Sequence, residues 1–312
     1  MHSLRPLNLL TFLMTLAIIY AGCTPAGSGK KSIQSPPPVE NFGDYWYQGT
    51  AELTRYELRQ ARYGEIHSGD AVLIFVTEDF LQDKQVKYEH GSREQAVSVL
   101  KLNATRKFYT GIYPYSIMTS VFTPVSAMNH SLKVSFSAQE WCGQAFMQLN
   151  FQGNDSYRGV LHSYFQDEAD QAFAVNNALL EDELWTRIRL NPEALPTGEI
   201  DLFPGAHYIR MRHQPLQPQK AVASLSSSED PALSEKPLQV YRIEYRSIER
   251  VLEIKFEAEF PFAIVAWEET YPSGFGDSRV LKTSAVRTHT LNAPYWSLNS
   301  VADSLYRKQL GL

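Results

Sequence analysis

The run His162–Asp170 (HSYFQDEAD) places one imidazole and three carboxylates within nine residues. In an extended chain alternate residues share a face, which would set His162, Glu168 and Asp170 side by side. An imidazole with two carboxylates suits a divalent cation or an acid–base pair. Acidic turns at strand ends have the same composition and only meet solvent. Glu268 and Glu269 are the next acidic pair, but neighbours on a strand point oppositely and cannot act together. The eight histidines are scattered, and none stands in a triad context. HExxH, GxSxG, the phosphate-cradling GxxxxGK[ST] and cysteine pairs at metal spacing are all missing from the sequence. Gly274 and Gly276 flank Phe275, yet Asp-Ser-Arg follows, which fails a dinucleotide fingerprint. No cofactor and no metal is therefore expected. The chain reads more readily as a binding protein than as an enzyme. A hydrolase or metal enzyme built on the His162/Glu168/Asp170 face is the alternative, and a structural or assembly role is a third reading.

The chain has two cysteines. Cys142, in QEWCGQ, reads as a small buried thiol at a strand end. Cys23 has a different context. Leu7–Tyr20 (LNLLTFLMTLAIIY) is an apolar run behind a short polar start, too short to span a bilayer comfortably, and Ala21-Gly22 precedes the cysteine. This three-part plan resembles the signal and lipobox of bacterial lipoproteins, with Tyr20 where leucine is usual. The resemblance implies cleavage before Cys23 and acylation of that residue, with palmitate among the expected chains. Several acyl chains on one residue anchor a protein almost permanently, whereas one anchors it marginally. Pro25–Glu40 (PAGSGKKSIQSPPPVE) offers almost nothing to bury and reads as a tether of roughly 20–25 Å mean reach. The expected organisation is a signal peptide over 1–22, a lipidated cysteine and tether over 23–42, and one β domain over 43–312, with two halves meeting near 224–237. By the same resemblance, the address is the cell envelope, at an outer membrane and facing the periplasm.

Composition narrows the partners. The chain carries a net charge of −5, and loss of residues 1–22 removes Arg5 and no acid, giving −6. A mildly acidic protein with no basic cluster is not suited to nucleic acid. The expected partners are the membrane, through the N-terminal lipid, and either a hydrophobic ligand or an envelope protein.

The chain contains 17 Tyr and 16 Phe and many β-branched residues, a composition that favours strands. Val251–Phe260 alternates strictly, with Leu252, Ile254 and Phe256 opposite Glu253, Lys255 and Glu257. Val240–Ile248 alternates too, and Ser247–Arg250 reads as the turn of a hairpin, with Arg242 or Arg246 facing the glutamates. Ala71–Val76 is wholly apolar, as in a strand covered on both faces. Thr50–Ala61, Phe108–Thr123, Leu132–Ala138, Ala145–Phe151, Tyr157–Phe165, Ala263–Glu269 and Val280–Leu291 read as further strands. Asn176–Leu190 predicts a helix capped by Asn177, with Leu180, Leu184 and Ile188 as its apolar stripe and Pro192 as its stop. Ser300–Leu310 predicts a short closing helix. Leu195–Pro218 reads as irregular and Ser224–Pro237 as an exposed loop. The fold class expected is mainly β: a large antiparallel twisted sheet or half-open barrel, with one packed helix and a short C-terminal one. The aromatic segments TGIYPYSIM, EWCGQAFM and APYWSL either fill its core or line an apolar groove.

Several segments together, YELRQARYGEIHSGDAVLIFVTEDF, KLNATRKFYTGIYPYSIMTSVF, QEWCGQAFMQLN, SYFQDEADQ and WEETYPSGFG, resemble a family of Bacteroidota lipoproteins of unknown function, over most of Tyr45–Leu312. Members are sometimes labelled septum formation inhibitor. That label implies an α/β nucleotide pyrophosphatase with an arginine-bearing SxSPRR-like motif. The nearest sequence here is Ser35-Pro36-Pro37-Pro38, which has no arginine. More remotely, the architecture is similar to periplasmic lipid-binding half-barrels.

Overall fold

The computed structural model describes Val39 and residues 41–126, 130–274, 276 and 278–312. The apolar start, Cys23 and the tether up to residue 38 lie outside the described residues. Every described residue belongs to one compact unit spanning 34–312.

A short helix, α1 (Phe42–Trp46), leads into the first meander: β1 (Ala51–Arg62), β2 (Glu65–Leu81), the two-residue β3 (Val86–Lys87), β4 (Ala96–Thr110), β5 (Tyr113–Pro124), β6 (Lys133–Glu140), β7 (Gly143–Gly153), β8 (Ser156–Ser163) and β9 (Asp170–Asn176). Then come β10 (Leu179–Leu180), α2 (Glu181–Leu190), β11 (Gly198–Phe203) and α3 (Ala206–Arg212). The second meander is β12 (Gln219–Ser228), β13 (Leu238–Tyr245), β14 (Arg250–Glu257), β15 (Ile264–Ser273) and β16 (Arg279–Ala293), and α4 (Leu305–Gln309) closes the chain.

All sixteen strands form one sheet that does not close. Its path runs β10 to β16 in order, then β1, β2 and β4 to β9, with β3 paired to β2 at the side. Only the β10–β11 pair is parallel. The two meanders join where β16 lies against β1, Ala51 opposite Ala293 and Arg59 opposite Ser284. Adjacent strands rotate by roughly 20–25°, so a path this long must curl. Its two edge strands, β9 and β10, are separated in sequence by Asn177 and Ala178 alone. The chain leaves one edge, starts the other, and sends α2 through the concave side.

That route explains why every residue of α2 is buried. Leu184 and Ile188, on the expected stripe, are fully enclosed. The helix begins at Glu181 instead of Asn176, because Asn177 turns in the left-handed region (φ 54°) and Leu179-Leu180 pair with Leu202-Phe203 of β11. Asn177 is therefore a turn residue and not the cap.

Most of the strand pattern holds. Leu252, Ile254 and Phe256 pack inward with Tyr241, Ile243 and Tyr245, and Arg242 meets Glu253 across the hairpin at 2.7 Å. Ala71–Val76 is covered on both faces: Leu73 and Phe75 join the main core, while Val72 and Val76 pack with Leu53 and Leu310 under the C-terminal segment. The single strand expected over Phe108–Thr123 is two, bent back at Gly111 (φ 63°). β4 extends back to Ala96, beyond the expected segment. The region expected to be irregular holds β11 and α3, and β12 takes up the expected loop as far as Ser228. Cys142 is exposed, because it sits in the β6–β7 turn where the strand has ended. No helix among the described residues is long and apolar enough to cross a membrane.

Candidate functional site

The chain does not stay extended through HSYFQDEAD, which separates the three candidate residues. β8 ends at Ser163, a turn follows, and β9 begins at Asp170. His162 and Asp170 are register partners, Nδ1 to Oδ1 3.2 Å, on the outer face of the sheet and mostly exposed. Glu168 turns the other way. Ser163 Oγ donates to its Oε2, and His213 Nδ1 lies 2.5 Å from its Oε1. Among the described residues no group of three His, Cys, Asp or Glu side chains is placed to hold a metal. Glu268 pairs with Lys282 at the surface, and Glu269 points inward to Arg250.

Glu168 instead belongs to a groove of about 870 Å³ between α3, the β8–β9 turn and the sheet. Phe136, Met147 and Leu161 form its floor, while Ile209 and Leu216 form a wall beside Phe165. A polar relay borders it. Arg210 Nη1 donates to His213 Nε2 at 3.3 Å. A guanidinium can only donate, so the imidazole proton lies on Nδ1 and points to Glu168. Arg210 also pairs with the buried Glu140, and its guanidinium stacks 4.3 Å over the Phe165 ring. Tyr113 donates to Glu140 at 2.8 Å. Burial by itself would raise the Glu168 carboxyl, but the hydrogen bonds from His213 and Ser163 hold it below the ordinary range.

Ser163, Glu168 and His213 are the residue types of a hydrolytic triad in the wrong order. The carboxylate stands between serine and histidine, so the base that meets the hydroxyl is Glu168, weakened by the His213 and Ser163 hydrogen bonds that hold it below the ordinary range. The arrangement suits holding a ligand's polar end beside an apolar floor. Removing the carboxylate (Glu168→Ala) should leave the fold intact and release the turn, read as faster amide exchange over residues 164–169. Unchanged exchange would mean that backbone contacts alone fix the turn. Arg210 and His213 lie outside every segment expected to be ordered. Their sequence trace was the i, i+3 spacing in HYIRMRH on a helix.

A second polar centre lies inside the sheet. α2 brings three acids and two arginines to the core, and each is met there by partners. Arg189 forks onto Glu52 of β1 at 2.6 and 2.7 Å. Arg250 of β14 bridges Glu181 (2.5 and 2.6 Å) and Glu269 (2.7 Å). Glu183 takes Arg187 and the Ser131 amide, and its carboxyl is pulled down to about 2 against the upward push of burial. Beside Asp182 lies an enclosed space of about 30 Å³ lined by Arg106, His207 and Trp267. Arg106 Nη1, both His207 ring nitrogens and Trp267 Nε1 make no hydrogen bond among the described residues. The space suits one or two waters, which need about 10–15 Å³ each.

Comparison with protein-family models, with curated proteins and with solved structures finds no match for this chain.

Proposed function

We propose that this is a lipid-anchored cell-envelope protein, attached through Cys23 to an outer membrane and facing the periplasm, that binds an amphiphilic small molecule in the α3 groove. The observation that carries this reading is the groove itself: an apolar floor of Phe136, Met147 and Leu161 bordered by the Arg210–His213–Glu168 relay. Sites of several hundred Å³ with an apolar lining and a few convergent polar groups are the usual form of small-molecule pockets. An acyl or other hydrocarbon portion would lie on the floor, with its polar end among the relay. The concave interior of the sheet is not the ligand space in this reading, since α2 fills it. The lipobox-like start and the resemblance to Bacteroidota lipoproteins support the address.

Native mass spectrometry of residues 39–312, exported to the periplasm of a Gram-negative host, tests it. A stoichiometric added mass that organic solvent strips is expected, and Leu216→Arg at the groove wall should abolish it. A clean mass from the unaltered chain, with no uptake of added phospholipid or fatty acid, would overturn the reading.

A further inference from the structure

Four hairpin turns fall at the same end of the sheet, because the strands there follow one another as a meander: β1–β2, β4–β5, β6–β7 and β8–β9. Each turn carries an exposed aromatic at or beside its tip: Tyr63, Tyr109, Trp141 and Tyr164, the last two about two-thirds exposed. Ile112, at the β4–β5 tip, is 82% exposed. Neighbouring hairpins stand roughly 10 Å apart, so the row extends about 30 Å. The tips are braced from below: Tyr63 meets the Tyr115 hydroxyl at 2.7 Å, Trp141 lies 6.2 Å from Tyr113, and the Tyr164 ring covers the Gly143 backbone. A rigid row of this kind pays little ordering entropy on contact.

The opposite end differs. Its β2–β3 and β7–β8 tips, Gln82-Asp83-Lys84 and Gly153-Asn154-Asp155, carry no aromatic, and the exposed aromatics near that end, Tyr47 and Trp296, lie on the segments before β1 and after β16, not on hairpin tips. On the aromatic end, the exposed residues of the two central turns include no acid, and the exposed Lys107 stands just below them on β4. Tyr and Trp carry an apolar ring with a polar atom, which suits the headgroup level of a bilayer, and a lysine there can reach lipid phosphate along its own stem. We infer that this aromatic rim is a second membrane contact, separate from the N-terminal lipid, which seats the turns in the bilayer interface. The groove described above opens beside the same rim, at Phe165 of the β8–β9 turn, so its mouth would face the lipid surface. The inference about the rim does not depend on the groove holding a ligand.

Flotation of residues 39–312 with phosphatidylethanolamine–phosphatidylglycerol vesicles tests it, since this stretch includes the entire sheet and core and omits Cys23. The protein is expected to co-float, and Ile112→Ser with Trp141→Ser should weaken partitioning about tenfold or more, given the apolar area each tip would bury. Both side chains are exposed, so the double variant should melt like the parent. Hydrogen exchange on vesicles should protect the tip amides around Ile112, Cys142 and Tyr164. Equal flotation of parent and variant, or protection at the opposite end instead, would overturn the inference. So would protection of the same tips without vesicles in a concentration-dependent dimer.

Discussion

Replacing Arg250 with methionine is expected to destabilise the protein by about 3–5 kcal/mol, the usual cost of breaking a buried ion pair from one side. The guanidinium is 2% exposed and holds Glu181 with two nitrogens and Glu269 with the third. It also lies 4.2 Å over the Tyr208 ring. Burial would raise the Glu181 carboxyl, yet Arg250 holds it below the ordinary range. Without the arginine, Glu181 loses its ion-pair partner, Glu269 keeps only Arg106 Nη1 at 4.0 Å, and α2 loses its charged tie to β14 and β15. Adding Glu181→Gln to the variant should recover part of the loss, because groups in one network do not contribute additively. Urea unfolding of both variants measures this. A loss under about 1 kcal/mol for the single variant would mean that solvent reaches the pair.

Asp182→Asn is expected to do the opposite above neutrality. Burial, helped by the adjacent Glu181 charge, raises the Asp182 carboxyl from 3.8 to about 7, although the Ala206 amide and Arg250 act to lower it. A group whose pKa is higher in the folded state binds its proton more tightly there. Its contribution to stability is complete below about pH 4 and is lost as pH rises through 7. One unit corresponds to about 1.4 kcal/mol, so the full term is on the order of 4 kcal/mol. The asparagine oxygen can still accept from Ala206, and its amide carries no charge. The variant should therefore unfold at higher urea than the parent at pH 8, and by less than half that margin at pH 5, where only part of the term has been lost. Equal offsets at the two pH values would sink the argument. Glu183 gives the reverse slope: its depressed carboxyl stabilises the fold above about pH 4.5 and ceases to as pH falls toward 2. Measurements kept above pH 5 separate the two.

These two effects share an origin that sequence periodicity does not reveal. EDELWTRIRL has an apolar stripe of Leu184 and Ile188, and the acids and arginines around it read as a solvated face arranged along the helix dipole. In the fold they are enclosed, because the sheet curls around the helix and supplies Glu52, Arg250 and Glu269 as inward partners. On β14 and β15, Arg250 and Glu269 look like ordinary strand-end charges. Their burial depends on a helix more than fifty residues away in the chain.

The candidate site was half legible. His162, Glu168 and Asp170 were visible as a cluster, and His162 and Asp170 do meet across β8 and β9. Glu168 left them because the turn before β9 reverses its side, and it found His213 forty-five residues later. The prolines from Pro196 to Pro218 suggested irregular chain there, yet they fall before β11, between β11 and α3, and after α3, and leave both elements intact.

What the sequence determined by itself was the local and the periodic: alternating strands, the apolar stripe of α2, the turn at Ser247–Arg250 and the mainly β class. These follow from side-chain spacing against a fixed backbone repeat. The tertiary structure alone decided which meander edge met which, that α2 would be enclosed, that Glu168 would face Arg210 and His213, and that four aromatic turns would share one end. Those outcomes depend on curl and register summed over fifteen strands of the main path, and no short window of residues contains them.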